Sequence, residues 1–153
     1  MTQDAAARSL VVERTMPHPP EKVWRALTQA PLVAEWLMQN DFQPLVGHRF
    51  NFRATPIPNM WNGVTDCEVL LIEPPRRLAF TWHPYGIDPD VDYDQEEPTL
   101  VEFLLAPNGD GTRLTVVESG FDKVPAHRRE EAFRMNDGGW TQQVQNIKAH
   151  VES

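Results

Sequence analysis

Residues 125–151, "PAHRREEAFRMNDGGWTQQVQNIKAHV", decide the fold. Phe133, Trp140, Val144, Ile147 and Val151 recur at helical spacing on one side, so the stretch reads as one long amphipathic helix. Gly138 and Gly139 sit in its middle, where each costs about 1 kcal/mol against alanine. Two explanations stand. The backbone passes close to a strand or to pocket contents there, with Trp140 projecting inward, or the helix breaks with glycine as its C-cap. A long helix with one apolar side also needs a surface to cover.

The preceding sequence supplies that surface. Leu78, Phe80 and Trp82, then Val101, Phe103 and Leu105, then Leu114 and Val116 alternate with polar residues, the period of strands with one apolar face. Phe50 and Phe52 do the same among Arg49, Asn51 and Arg53. Strands are expected at about 9–15, 48–53, 63–73, 76–83, 99–107 and 111–118. The short links "EPPRR" (73–77) and "PNGDG" (107–111) make antiparallel hairpins of their flanking strands. In the third strand Val69, Leu70, Leu71 and Ile72 are consecutive, so it takes either a bulge or burial on both sides. Between the first two strands, Pro19 and Pro20 suit a helix start, with Val23, Trp24 and Leu27 on one face, and Pro31 opens a second short helix, "PLVAEWL". The expected fold is α+β: a six-stranded curved antiparallel sheet wrapped around a long C-terminal helix, with two short helices between strands 1 and 2.

The 153 residues suit a single domain, with its core at about 9–151. A hydrophobic fraction of 41% and a charged fraction of 24% are those of a globular protein, and no apolar run is long enough to span a membrane. A formal charge of -8 argues against a nucleic-acid partner, and "PPRR" and "HRR" are too short to reverse that. The first residues carry no basic and apolar signal, and the single Cys67 leaves no internal disulfide, so a cytoplasmic protein is expected, with Cys67 a small buried hydrophobe.

In order and spacing, "VVERTMPHPPEKVWRALTQAPLVAEWL", "VGHRFNF", "VLLIEPPRRLAFTW", "GDGTRLTVVESGF" and "GGW" resemble the bacterial single-domain proteins similar to the C-terminal domain of the activator of the heat-shock-protein-90 ATPase. Those proteins fall within the START-like helix-grip superfamily, SRPBCC. The resemblance runs from about Ser9 to Val151 and implies a hydrophobic cavity between sheet and helix. The chain departs from the family pattern at His48, where a second glycine is common, and at Glu118, where histidine is frequent.

Motifs for other chemistries are missing. The chain has no Walker loop, G-x-S-x-G elbow or C-x-x-C pair, and its five histidines never fall as H-x-x-x-H, so neither a cofactor nor a built-in metal is expected. Asp90, Asp92 and Asp94 open like a calcium loop, but Gln95 replaces the required glycine and Val101 the bidentate glutamate. The acidic run 88–98 reads instead as a solvated loop, and whether it gates a cavity mouth is left open by the sequence. Alternation puts Glu118 on the inner face, inside a pocket or at its rim, the rim being favoured because Ser119 and Gly120 end the strand at once. Asn136 and Asp137 precede Trp140 by one helical turn.

Three functions follow as expectations. The leading one is binding of a small hydrophobic or aromatic molecule, with Trp36, Phe52, Trp61, Phe80, Trp82, Phe103, Glu118, Asp137 and Trp140 as the candidate ligand-binding residues. The second is a cyclase- or hydrolase-type enzyme using Glu118 and Asp137 for proton transfer. The third, implied only by the resemblance, is a protein-binding role with a chaperone partner.

Overall fold

The computed structural model describes residues 9–53, 64–83 and 96–152. Along the chain lie β1 (Leu10–Met16), α1 (Pro20–Thr28), α2 (Ala30–Trp36), β2 (Gln39–Asn40), β3 (Arg49–Arg53), β4 (Val64–Glu73), β5 (Arg77–Trp82), β6 (Thr99–Asn108), β7 (Gly111–Ser119) and α3 (Arg129–Glu152). The strands form one curved antiparallel sheet in the order β1-β7-β6-β5-β4-β3-β2. Seven strands are present among the described residues where six were expected. The additional one, β2, is only two residues long and pairs Gln39 with Arg53 and Asn40 with Phe52, too short to carry a period of its own.

Register turns the alternation into a core. Phe80 pairs with Val101, Phe103 with Val116 and Leu105 with Leu114, so the inward residues of three strands stand side by side, and all are buried. Their rings interlock: Phe50 meets Phe52 at 5.3 Å and Phe80 at 5.8 Å, edge to face, and Phe80 lies 6.0 Å from Phe103. The apolar run in β4 resolves as a bulge between Val69 and Leu71, which leaves Leu70 exposed while Val69 stays in the core.

The helix α3 packs against β1, α1 and α2, burying Ala132, Trp140, Val144, Ile147 and Val151. It begins four residues later than its sequence pattern suggests, because Ala126–Arg128 form a separate 3-10 turn. The Arg129 guanidinium ties that entry together by donating to the carbonyls of Phe121, Asp122 and Val124. Arg128 and Glu96 form a largely buried ion pair that ties the segment leading into β6 to the helix entry.

Neither a helix break nor a close crossing of a strand accounts for Gly138 and Gly139, and Gly139 lines a cavity. The helix runs unbroken through them, and a Cβ built on either would meet nothing within 4 Å. The close approach lies elsewhere: a Cβ at Gly111 would stand 2.2 Å from the carbonyl oxygen of Met16, where β7 starts beside the end of β1. Gly138→Ala is therefore expected to raise the unfolding free energy by up to about 1 kcal/mol, and Gly111→Ala to lower it by about 1 to 3 kcal/mol. Urea denaturation of the two variants checks both signs.

Candidate functional site

Three neighbouring strands and α3 meet at one end of the sheet. Trp82 closes β5 opposite Thr99 at the start of β6, and Val101 stands opposite Glu118 near the end of β7. The inward alternation Leu114, Val116, Glu118 places a carboxylate in this corner, and the chain turns away immediately after it at Gly120, whose φ is +89°. One turn of α3 then crosses above it, bringing Asn136 and Trp140.

Glu118 is not at a rim; its relative exposure is 0%. Oε1 accepts from the Trp140 indole Nε1–H at 3.0 Å and from Asn136 Nδ2 at 2.9 Å. Oε2 accepts from Trp82 Nε1–H at 2.9 Å, from Thr99 Oγ1 at 2.5 Å and from Asn136 Nδ2 at 3.0 Å. All four donors are neutral, and no cationic side chain among the described residues pairs with it. Burial pushes the Glu118 carboxyl above the ordinary glutamate range, while the bonds from Thr99, Trp82, Trp140 and Asn136 pull it back only in part. An indole N–H can only donate, so the two tryptophans match the ionised carboxylate, and its network orients them. Their rings stack, with centroids 5.0 Å apart and planes 27° from parallel.

Beside this pair lies a cavity of about 130 Å³, lined by Leu37, Met38, Thr65, Trp82, His83, Met135, Asn136, Gly139, Trp140 and Gln143. Its lining is mostly apolar, with amide, hydroxyl and imidazole groups at the edges. The Thr65 hydroxyl accepts from the His83 backbone N–H and donates to its carbonyl, and His83 Nδ1 lies 2.9 Å from the carbonyl of Asp66. Space for about four waters remains, at a liquid share of ~30 Å³ each.

Of the candidate residues, Trp82 and Trp140 line the cavity, and Glu118 sits one side chain behind them. Trp36, Phe52, Phe80 and Phe103 are buried in the ring packing of the core and do not line it. Trp36 instead donates its indole N–H to the carbonyl of Ala26 at 2.7 Å, locking α2 onto α1. Asp137 is exposed on α3 and lies away from Glu118's network, so the expected pair of proton-transfer carboxylates does not converge. Trp61 and most of the acidic run 88–98 lie outside the described residues.

Leu37, Met38, Thr65, His83, Met135, Gly139 and Gln143 are lining residues that the sequence reading missed. For Met135, Gly139 and Gln143 a signal existed, since spacings of four place them on one stripe of α3 beside the Asn136–Trp140 pair. Leu37 and Met38 follow the end of α2 in irregular backbone and carry no periodicity. Among the described residues no group of three or more histidine, cysteine or acidic side chains is placed to hold a metal ion, and no helix is long and apolar enough to cross a membrane.

This architecture recurs in known proteins. The crystal structure of MLL2253 from Mesorhizobium loti superposes with a TM-score of 0.78 at 42% identity, covering 95% of this chain and 97% of that one. BH1534 from Bacillus halodurans matches with a TM-score of 0.69 at 30% identity, over 94% of this chain and 96% of its own. DynU16, a protein of the dynemicin biosynthetic locus, shares the fold with a TM-score of 0.72 at 23% identity, over 95% of this chain and 47% of its own. No curated protein matches the sequence. The family profile described as Activator of Hsp90 ATPase homolog 1-like protein matches residues 17–152, nearly the whole of the helix-grip unit, and the chain belongs to that family within the SRPBCC superfamily.

Proposed function

We propose that the protein binds a small, largely apolar molecule in the cavity between the β5 end of the sheet and α3. The observation that carries this reading is the enclosure beside the Trp82–Trp140 stack, where two methionines and a leucine supply apolar surface and Asn136, His83 and Gln143 supply a few polar groups. At about 130 Å³ it is smaller than the ~300 to 1,000 Å³ of sites for drug-sized ligands, so the guest is compact or displaces the methionine side chains, which are unbranched and adaptable. Elsewhere beneath α3 the rings pack on one another, with Phe103 6.0 Å from Phe80 and 5.6 Å from Trp140.

Native mass spectrometry of the purified protein, followed by displacement of an environment-sensitive dye with compact apolar compounds, tests this. Gly139→Phe is expected to abolish displaceable binding while changing unfolding free energy by less than about 1 kcal/mol, since a Cβ there meets nothing within 4 Å and glycine already disfavours the helix at that position. Unchanged binding in that variant would remove the site from this cavity. The family match also supports a protein-binding role with the chaperone. Stimulation of the chaperone ATPase by wild type and Gly139→Phe alike would separate that role from the cavity.

A further inference from the structure

Resting on the cavity reading above, we propose that the part of the guest recognised here is a compact organic ammonium group, seated against the Trp82 and Trp140 indoles and the Asn136 side-chain carbonyl. Three features of the corner point the same way.

First, Glu118 is a buried carboxylate whose hydrogen-bonding partners are all neutral, so when ionised it leaves one uncompensated negative charge behind the indoles. Second, the donors around it are oriented with their hydrogens toward Glu118. The positive ends of those dipoles face the carboxylate, and their negative ends face away from it. Asn136 spends its Nδ2 on both carboxylate oxygens, which turns its Oδ1 from Glu118, and that oxygen accepts no hydrogen bond among the described residues. Asn136 is itself a lining residue, so the oxygen is available to a guest N–H. Third, both indoles line the cavity as a stacked pair, and indole π systems attract ammonium groups.

Nothing in the lining opposes a cation. No lysine or arginine contributes to it, and His83 is its one titratable side chain. Burial holds the Glu118 carboxyl above its ordinary range, and a cation across the indoles would oppose that shift.

Three probes of one shape decide the polarity: tert-butylammonium, tert-butanol and pivalate, carrying positive, zero and negative charge. Each is titrated into the wild-type protein at a pH where histidine is neutral, and the indole N–H resonances of Trp82 and Trp140 are followed by NMR. The ammonium is expected to shift both resonances with a Kd about tenfold or more below that of the alcohol, and pivalate to leave them in place. Equal or tighter binding of the alcohol or of pivalate overturns the polarity and leaves the cavity reading standing on its neutral guests. Failure of all three to shift the indoles overturns the polarity as well, while displacement of the dye by apolar compounds judges the cavity separately.

Glu118→Gln turns amide hydrogens toward the donors of one carboxylate oxygen, Trp140 and Asn136 or else Trp82, Thr99 and Asn136, and can disrupt the corner, so the second arm uses Met135→Lys, which introduces a fixed ammonium into the lining. It is expected to weaken tert-butylammonium about tenfold and tert-butanol less than about threefold. An equal effect on both probes, or none on the ammonium, contradicts the proposal.

Discussion

Glu118→Ala is expected to lower the unfolding free energy by about 3 to 4 kcal/mol, a large effect for a single truncation. The reason is the company the carboxylate keeps. Thr99 and Trp140 are each 1% exposed, so their donors find little water when the acceptor is removed, whereas Trp82 and Asn136 are partly exposed and can be rehydrated. Relief of the buried charge offsets part of the loss. Glu118→Gln keeps the volume and one acceptor oxygen and should cost less, about 1 to 2 kcal/mol at neutral pH.

The sign of the pH dependence follows from the raised pKa. The folded protein holds the Glu118 proton more tightly than the unfolded chain does, so this residue's contribution to stability is fully present below the ordinary glutamate range. It is lost as pH rises through the raised value. Chemical denaturation across that window should show wild type losing stability relative to Glu118→Gln as pH increases. A gap that widens in wild type's favour would show that the hydrogen bonds, not burial, dominate the carboxylate.

Trp140→Ala is expected to cost about 4 to 5 kcal/mol, at the upper end for an aromatic truncated in a core. The ring is 1% exposed, stacks on Trp82, meets Phe103 edge to face at 5.6 Å and gives its N–H to Glu118. Trp140→Phe keeps most of the packing and loses the hydrogen bond, for about 1 to 2 kcal/mol. In a Glu118→Ala background that smaller cost should vanish, because the indole N–H then has no acceptor to lose. The resulting double-mutant coupling of about 1 to 2 kcal/mol measures the bond itself, and strict additivity would mean that the ring acts through packing alone.

Where the sequence spoke clearly, one side of an element was wet. The alternation of β5, β6 and β7 located the apolar face residue by residue, and the consecutive apolar residues of β4 signalled the bulge that exposes Leu70. Tertiary events were illegible. Ser119 and Gly120 correctly ended β7, yet they gave no hint that α3 would lay Asn136 and Trp140 over Glu118 and convert a strand-end carboxylate into a fully buried one. The same blindness affected the glycines. Local sequence registers the helical penalty at Gly138 and Gly139 but cannot see the open space beside them, and of the pair that suggested a tight crossing Gly139 borders the cavity instead. Trp36, Phe52, Phe80 and Phe103 share an inward position with the cavity residues, and only their mutual packing assigns them to the core.

Intermolecular NOEs from a bound guest, measured with methyl-labelled methionine and indole-labelled tryptophan, would locate the ligand with the fewest assumptions. Guest protons should contact the methyl groups of Met38 and Met135 together with the indoles of Trp82 and Trp140. Contacts confined to the outer face of the sheet or to the exposed loop at Leu45 and Val46 would place the binding site elsewhere and contradict it.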